Sequence, residues 1–243
     1  TALVLGASGG IGFAVAEQLA ELGYNLVLHY GSNIERVRAL SAKLAEYGVS
    51  VYTCQADVSK TEEVEALVEF AKRKLGVVSG FVNCAATPIP PVNVKDLLWE
   101  DFADQISLNL NLNFAIIKWL LPDMLANKFG KIVTLGTVYT SKPNQNLVHY
   151  ITAKSALEGF TKALALEVAP LGVNVNMVAP SLVDTELTSD IPEKTKLVTA
   201  YQTPRRRLAD PADVAGAVAF LMSDRADFMA GEVLRVHGGP PMV

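Results

Sequence analysis

The feature that most constrains this chain is the regular exchange of buried-strand runs for helix-period segments. Seven apolar runs of strand length recur: ALVLG (2–6), NLVLHY (25–30), VSVYTC (49–54), SGFVNC (79–84), KIVTLG (131–136), VNVNMV (173–178) and EVLRV (232–236). They are rich in Val, Leu and Ile without strict alternation, the pattern of strands covered on both faces. Between them, segments such as FAVAEQLAELG and EEVEALVEFAKRKLG place apolar residues every three or four positions and stop at glycine. Strand–helix alternation of this kind specifies an α/β fold, a doubly wound parallel sheet with helices on both faces. Residues 1–243 read as a single domain, because no linker, repeat or low-complexity stretch breaks the pattern. The one long irregular region, about 181–210, is bounded and punctuated by Pro192, Pro204 and Pro211 and reads as a lid over a substrate.

Composition narrows the function classes. Hydrophobic residues make up 50% and charged residues 19%, which suits a large packed core and excludes a disordered chain. A net charge of -4 gives no basic face for nucleic acid. Arg205-Arg206-Arg207 is the one cationic cluster and reads as a solvated loop, with contact to an anionic substrate or another subunit as the sharper alternative. Cys54 and Cys84 close apolar runs and are expected as buried free thiols, too few for a disulfide framework or a metal site. TALVLG reads as a strand from the first residue, no signal peptide is visible, and no apolar run reaches the ~18 residues of a membrane span. A reducing cytoplasm is the expected location.

The first strand runs into GASGGIG, whose Gly6, Ser8, Gly10, Ile11 and Gly12 form a candidate phosphate cradle. A chain that turns sharply, lets its backbone approach a pyrophosphate and offers free helix N-terminal amides needs small residues here. The glycine gaps are three and one, where the usual dinucleotide fingerprint has one and two. The second strand ends at His29-Tyr30-Gly31-Ser32-Asn33, the point that faces the adenosine ribose in a dinucleotide fold. No acidic residue stands there to bind both ribose hydroxyls. Ser32 and Asn33 can donate to a phosphate, and Arg36 follows one turn later, so NADP(H) is preferred over NAD(H). Ser32-Asn33 can equally cap the next helix.

YITAK places Tyr150 and Lys154 four residues apart, on one face if the segment is helical. A phenol with an ordinary pKa near 10 is a poor base at neutral pH. A neighbouring ammonium lowers that value and tunes the hydroxyl for proton transfer at a carbonyl oxygen.

Taken together these motifs resemble the short-chain dehydrogenase/reductase family, from Thr1 to about Gly239. The matches run in order: GASGGIG at 6–12, Asp57-Val58, VNCAA at 82–86, Asn109 within SLNLN, Thr137, Tyr150 and Lys154, VAPSLVDTEL at 178–187, and GEVLRVHGG at 231–239. The resemblance implies a seven-stranded Rossmann sheet, usually in a homotetramer, with segment 100–127 and the Tyr150 helix against partner subunits. It implies that Asp57 and Val58 hold the adenine and that Asn83, with Ala85 beside it, lies near the adenosine ribose. Lys154 would hold the nicotinamide ribose, and Pro180, Val183 and Thr185 would position the carboxamide. Asn109 would anchor a water in a proton relay to Lys154, and Asn109, Thr137, Tyr150 and Lys154 would form the catalytic set.

Four positions depart from the family pattern. Thr137 stands for the usual serine and keeps its hydroxyl, with a methyl that restricts χ1. Asn83-Cys84-Ala85-Ala86 replaces Asn-Asn-Ala-Gly, Pro180-Ser181 replaces Pro-Gly, and Gly9 replaces a typical basic residue. The overall pattern is similar to 3-oxoacyl-(acyl-carrier-protein) reductases, which dock their acidic carrier on basic patches; here Lys128 is present but Leu171 stands at a second such place. A reductase of a free ketone is the neighbouring reading, with Thr87, Tyr139, Asn144, His149, Leu182 and Leu187 as pocket residues. His149 is either a second acid/base group or a residue on a helix face away from the chemistry. Two alternatives remain beside the reductase: a dinucleotide-binding sensor or scaffold without catalysis, and a dehydrogenase of a small alcohol or sugar.

Overall fold

The computed structural model describes residues 1–239. Seven strands, β1 (Ala2–Leu5), β2 (Leu26–Tyr30), β3 (Val51–Gln55), β4 (Gly80–Asn83), β5 (Gly130–Leu135), β6 (Val173–Pro180) and β7 (Val233–Val236), form one sheet in the order β3-β2-β1-β4-β5-β6-β7. Every neighbouring pair is parallel. This is the doubly wound Rossmann arrangement expected from the sequence. Eight helices cross between or follow the strands: α1 (Gly10–Glu21), α2 (Ile34–Leu44), α3 (Thr61–Leu75), α4 (Trp99–Ile106), α5 (Leu112–Ala126), α6 (Val148–Val168), α7 (Glu193–Gln202) and α8 (Pro211–Met222).

The strands are apolar throughout because successive side chains feed two cores. In β1, Ala2 and Val4 pack with α1, α2 and α8, while Leu3 and Leu5 pack with α3, α5 and α6. Fully burying each such leucine contributes roughly 1.5–3 kcal/mol, so the helix layers on both faces are fixed by the strand sequence. The glycine stops behave as read: Gly23 after α1 and Gly76 after α3 both take positive φ, at 81° and 71°.

After β1 the chain builds outward to β3, then returns to place β4 on the other side of β1. The carboxyl ends of β1 and β4 therefore face a crevice at a topological switch point, the place where open α/β sheets bind ligands.

One expectation is corrected. Segment 181–210 is not irregular: it contains a short turn of helix at Glu186–Thr188 and all of α7, none of whose residues is buried. Pro192 does not break this helix because it sits just before its first residue. Segment 100–127 is two helices joined by a wider turn, Ser107–Asn111, where the Leu112 amide donates back five residues to the Ser107 carbonyl. Among the described residues, no helix is long and apolar enough to cross a membrane.

Candidate active site

Ser8 lies between β1 and α1 at the crevice, and Gly10, Ile11 and Gly12 open α1 there. No side chain caps α1, so its first-turn amides are left free for an anion. Gly6 has φ 65°, and a Cβ there would come within 2.8 Å of the Ala85 backbone. A Cβ on Gly12 would overlap the Gly6 carbonyl oxygen. Small residues are thus required by backbone approaching backbone, as a dinucleotide cradle requires, whatever the glycine spacing. The residues present fit such a cofactor.

Beside the cradle lies a cavity of about 710 Å³. Ile11, Ala85, Asn109, Thr137, Tyr150, Lys154, Pro180, Val183 and Thr185 all reach it. Tyr150 and Lys154 come from the first two turns of α6, whose long apolar face fixes their direction. Thr137 follows β5 and lines the cavity beside Tyr150. Its Oγ1 also accepts from the Tyr139 amide at 3.3 Å. Asn109 is buried in the wide turn: its Nδ2 donates to the Gln105 carbonyl at 2.9 Å, and its own carbonyl accepts from Asn113 Nδ2 at 2.6 Å.

Electrostatics in this group differ from the sequence expectation. Tyr150 is pushed up to about 12 by desolvation, which outweighs the lowering influence of the nearby Thr137 hydroxyl. Lys154 does not lower it. The Lys154 ammonium sits 5.8 Å from the centre of the Tyr150 ring and donates instead to the Leu135 carbonyl at 2.7 Å. Burial pulls Lys154 itself down to about 8. In this geometry desolvation favours the neutral phenol of Tyr150.

The remaining cofactor candidates lie outside the cavity, along the carboxyl ends of β2 and β3. Tyr30 is buried, whereas Ser32 and Asn33 are exposed. Asn33 caps α2, its Oδ1 accepting from the Arg36 amide at 3.1 Å. The Asp57 carboxylate accepts from the Ser59 amide and hydroxyl at 3.1 and 2.7 Å, which holds its pKa below the usual range. Val58 packs at the edge of the α3 core. Asn83 is buried at the end of β4, and its Oδ1 accepts from the Ala85 amide at 2.9 Å.

Of the pocket residues read from sequence, Thr87, Tyr139, Asn144, Leu182 and Leu187 line the cavity. His149 does not: it is buried away from it on α6, and its Nδ1 has no partner among the described residues. The cysteines are free but partly exposed, not fully buried as expected. Burial nevertheless pushes the Cys84 thiol up to about 12, so it is inert as a nucleophile. Two of the three arginines are engaged within the fold: Arg207 forks onto Asp213 at 2.6 and 2.8 Å, and Arg206 stacks 4.4 Å from the Tyr201 ring. No cluster of metal-ligating side chains occurs among the described residues.

Four contributing residues were not read from the sequence. His29 accepts from the Gly6 amide at Nδ1, 3.1 Å away, so Nε2 carries the hydrogen and donates to the Ala56 carbonyl at 3.0 Å. It ties the cradle to the end of β3. Gln105 and Asn113 flank Asn109 at four-residue spacing, a signal that was available. Glu186 pairs with Arg36 across 150 residues and leaves no local trace.

Residues 6–240 match a family model described as Enoyl-(Acyl carrier protein) reductase. The chain is 33% identical over 241 residues to the 3-oxoacyl-(acyl-carrier-protein) reductase FabG of Staphylococcus epidermidis (strain ATCC 12228 / FDA PCI 1200), covering 98% of each chain. Its fold superposes on a crystal structure of levodione reductase with a TM-score of 0.91 at 28% identity, covering 98% of this chain and 96% of the other. A crystal structure of acetoin dehydrogenase YohF from Salmonella typhimurium gives 0.88 at 26%, with the same two coverages, 98% and 96%.

Proposed function

The chain belongs to the short-chain dehydrogenase/reductase family and is an oxidoreductase, and from this we propose that it reduces a ketone to an alcohol with NADP(H), Tyr150 being the general acid. The observation that carries this reading is the single cavity lined by Tyr150, Thr137, Lys154 and the cradle residue Ile11, in which desolvation favours the neutral Tyr150 phenol.

The dinucleotide, when bound, supplies the hydride to the carbonyl carbon. Thr137 and Tyr150 hold the carbonyl oxygen, and Tyr150 passes it the phenolic proton as negative charge develops there. As the phenolate forms, the Lys154 ammonium, charged below about 8, turns toward it from the Leu135 carbonyl. Asn109 and the Gln105–Asn113 stripe around it support a relay that returns the proton. Gly6, Ser8, Gly10, Ile11 and Gly12 receive the pyrophosphate; Asp57, Val58, Asn83 and Ala85 receive the adenosine half; Pro180, Val183 and Thr185 face the carboxamide. Tyr30, Ser32 and Asn33, with no carboxylate among them, support NADP(H).

For the substrate, the FabG relatives favour a 3-oxoacyl thioester, while the levodione and acetoin enzymes favour a free ketone. The cavity wall of Leu182, Leu187, Ile89 and Pro90 suits an apolar chain of either kind, and 181–210 serves as its lid. Exposed Phe114 and Trp119 on α5 and Leu166 on α6 support a homotetramer or homodimer packed through these helices.

The test is NADPH and NADH consumption against 3-oxoacyl thioesters, simple ketones and a 2-enoyl thioester. Ketone turnover with NADPH, abolished in Tyr150→Phe, supports the reading. Tight nucleotide binding with no turnover across the panel favours a sensor or scaffold, and turnover only of the enoyl substrate moves the chemistry to a carbon–carbon double bond.

A further inference from the structure

Arg36 lies in the first turn of α2, directly beyond the end of β2. Its guanidinium is 5.6 Å from the Phe13 ring on α1, and its partner is the carboxylate of Glu186. That ion pair is the main cause holding Glu186 below the usual carboxylate range. Glu186 opens the helical turn 186–188, whose preceding residue Thr185 lies on the cradle. A Cβ on Gly10 would meet Thr185 Cγ2 at 2.8 Å and Glu186 Oε2 at 3.5 Å. One short turn of the lid segment therefore covers the phosphate cradle and at the same time occupies the arginine beside it.

We propose that Glu186 is an internal competitor for Arg36, standing where a nucleotide 2′-phosphate would bind, and so sets how strongly this protein prefers 2′-phosphorylated nucleotides. A nucleotide with a free 2′-hydroxyl leaves the Arg36–Glu186 pair intact. One with a 2′-phosphate must take Arg36 from the carboxylate before it can use the fork of guanidinium donors. The Glu186 side chain is 65% exposed, so it can exchange into water at small cost. Glu186 thus supplies from the distant lid a carboxylate that the end of β2 lacks, and it acts by masking a cation rather than by binding ribose. The inference rests on the NADP(H) reading above.

The test is calorimetric binding of 2′,5′-ADP and 5′-AMP to the full chain, with no turnover required. Glu186→Gln is expected to tighten 2′,5′-ADP by about two- to five-fold, the size of an exposed ion pair, and to leave 5′-AMP unchanged. Arg36→Ala should erase the preference for 2′,5′-ADP, and Glu186→Gln should then have no effect on that background. If the parent chain prefers 2′,5′-ADP and Glu186→Gln does not change its affinity, the competition is refuted and the cofactor reading stands. If neither the parent nor Glu186→Gln distinguishes the two nucleotides, both fail.

Discussion

Lys154 and Tyr150 occupy one face of α6, yet the lysine reaches past the tyrosine: its Nζ bonds the Leu135 carbonyl at 2.7 Å and stays 5.8 Å from the phenol ring centre. The two groups therefore titrate for separate reasons. Tyr150 is held at about 12 and Lys154 at about 8, each mainly by desolvation. Lys154 carries its charge below about 8 and loses it above. The kcat/KM for ketone reduction should consequently be level at neutral pH and fall about tenfold per unit above roughly 8. Initial rates over pH 6–10 check this; a profile level to pH 10 would remove Lys154 from the reaction.

Replacing Tyr150 by Phe removes the proton and keeps the ring. Reduction should fall by about 10²–10⁴-fold while NADPH affinity, followed by nucleotide fluorescence, changes little.

Thr137 is buried beside Tyr150, and its hydroxyl accepts from the Tyr139 amide. Thr137→Ser should keep activity within about tenfold, because the hydroxyl remains. Thr137→Val keeps the shape and loses the hydrogen bond, and should cost about 10²-fold or more in kcat, the scale of a lost oxyanion donor. A Thr137→Val variant as fast as the parent would remove the hydroxyl from the reaction.

The cradle discriminates between neighbouring glycines. Gly12→Ala forces a Cβ onto the Gly6 carbonyl, where backbone cannot yield cheaply. A loss of about 1–3 kcal/mol in stability, together with loss of nucleotide binding, is expected. Gly9→Ala meets its nearest atom at 3.4 Å, an ordinary contact, and serves as the tolerated control. Thermal melts with and without NADPH separate the two.

His29 is buried, and desolvation lowers its pKa despite its bond to the Ala56 carbonyl. Burial likewise lowers His149. In the unfolded chain both titrate near 6.5. Folding therefore favours the neutral rings: their contribution is fully present above about pH 6.5 and is lost as pH falls through that value toward the folded pKa. Urea midpoints measured from pH 7.5 to 5 should fall, and His29→Gln should flatten the slope. An unchanged slope in His29→Gln would assign the acid sensitivity elsewhere.

The sheet was legible because each strand is apolar on both faces, a pattern few other structures produce; all seven runs became strands, within a few residues at each end. The cradle and the Tyr150–Lys154 spacing were legible because local geometry places them. α7 was hidden by Pro192 and Pro204, which mark a loop when read singly but bracket a helix here. The lysine's choice of Leu135 over Tyr150 depends on how β5 packs against α6, and no spacing rule encodes it. His29 read as a strand residue, since both its partners come from other loops.

The wide turn at Ser107–Asn111 carries a further consequence. A turn closed by a bond five residues back holds one residue more than a regular helical turn. Removing Ser107 or Leu108 would let α4 and α5 join as a single straight helix and swing one half by about 100° against the other. Asn109 would then leave the cavity with its identity intact. At this position the site depends on the count of residues as well as their kind, so a one-codon deletion here should disable the protein more thoroughly than substitution of the asparagine itself.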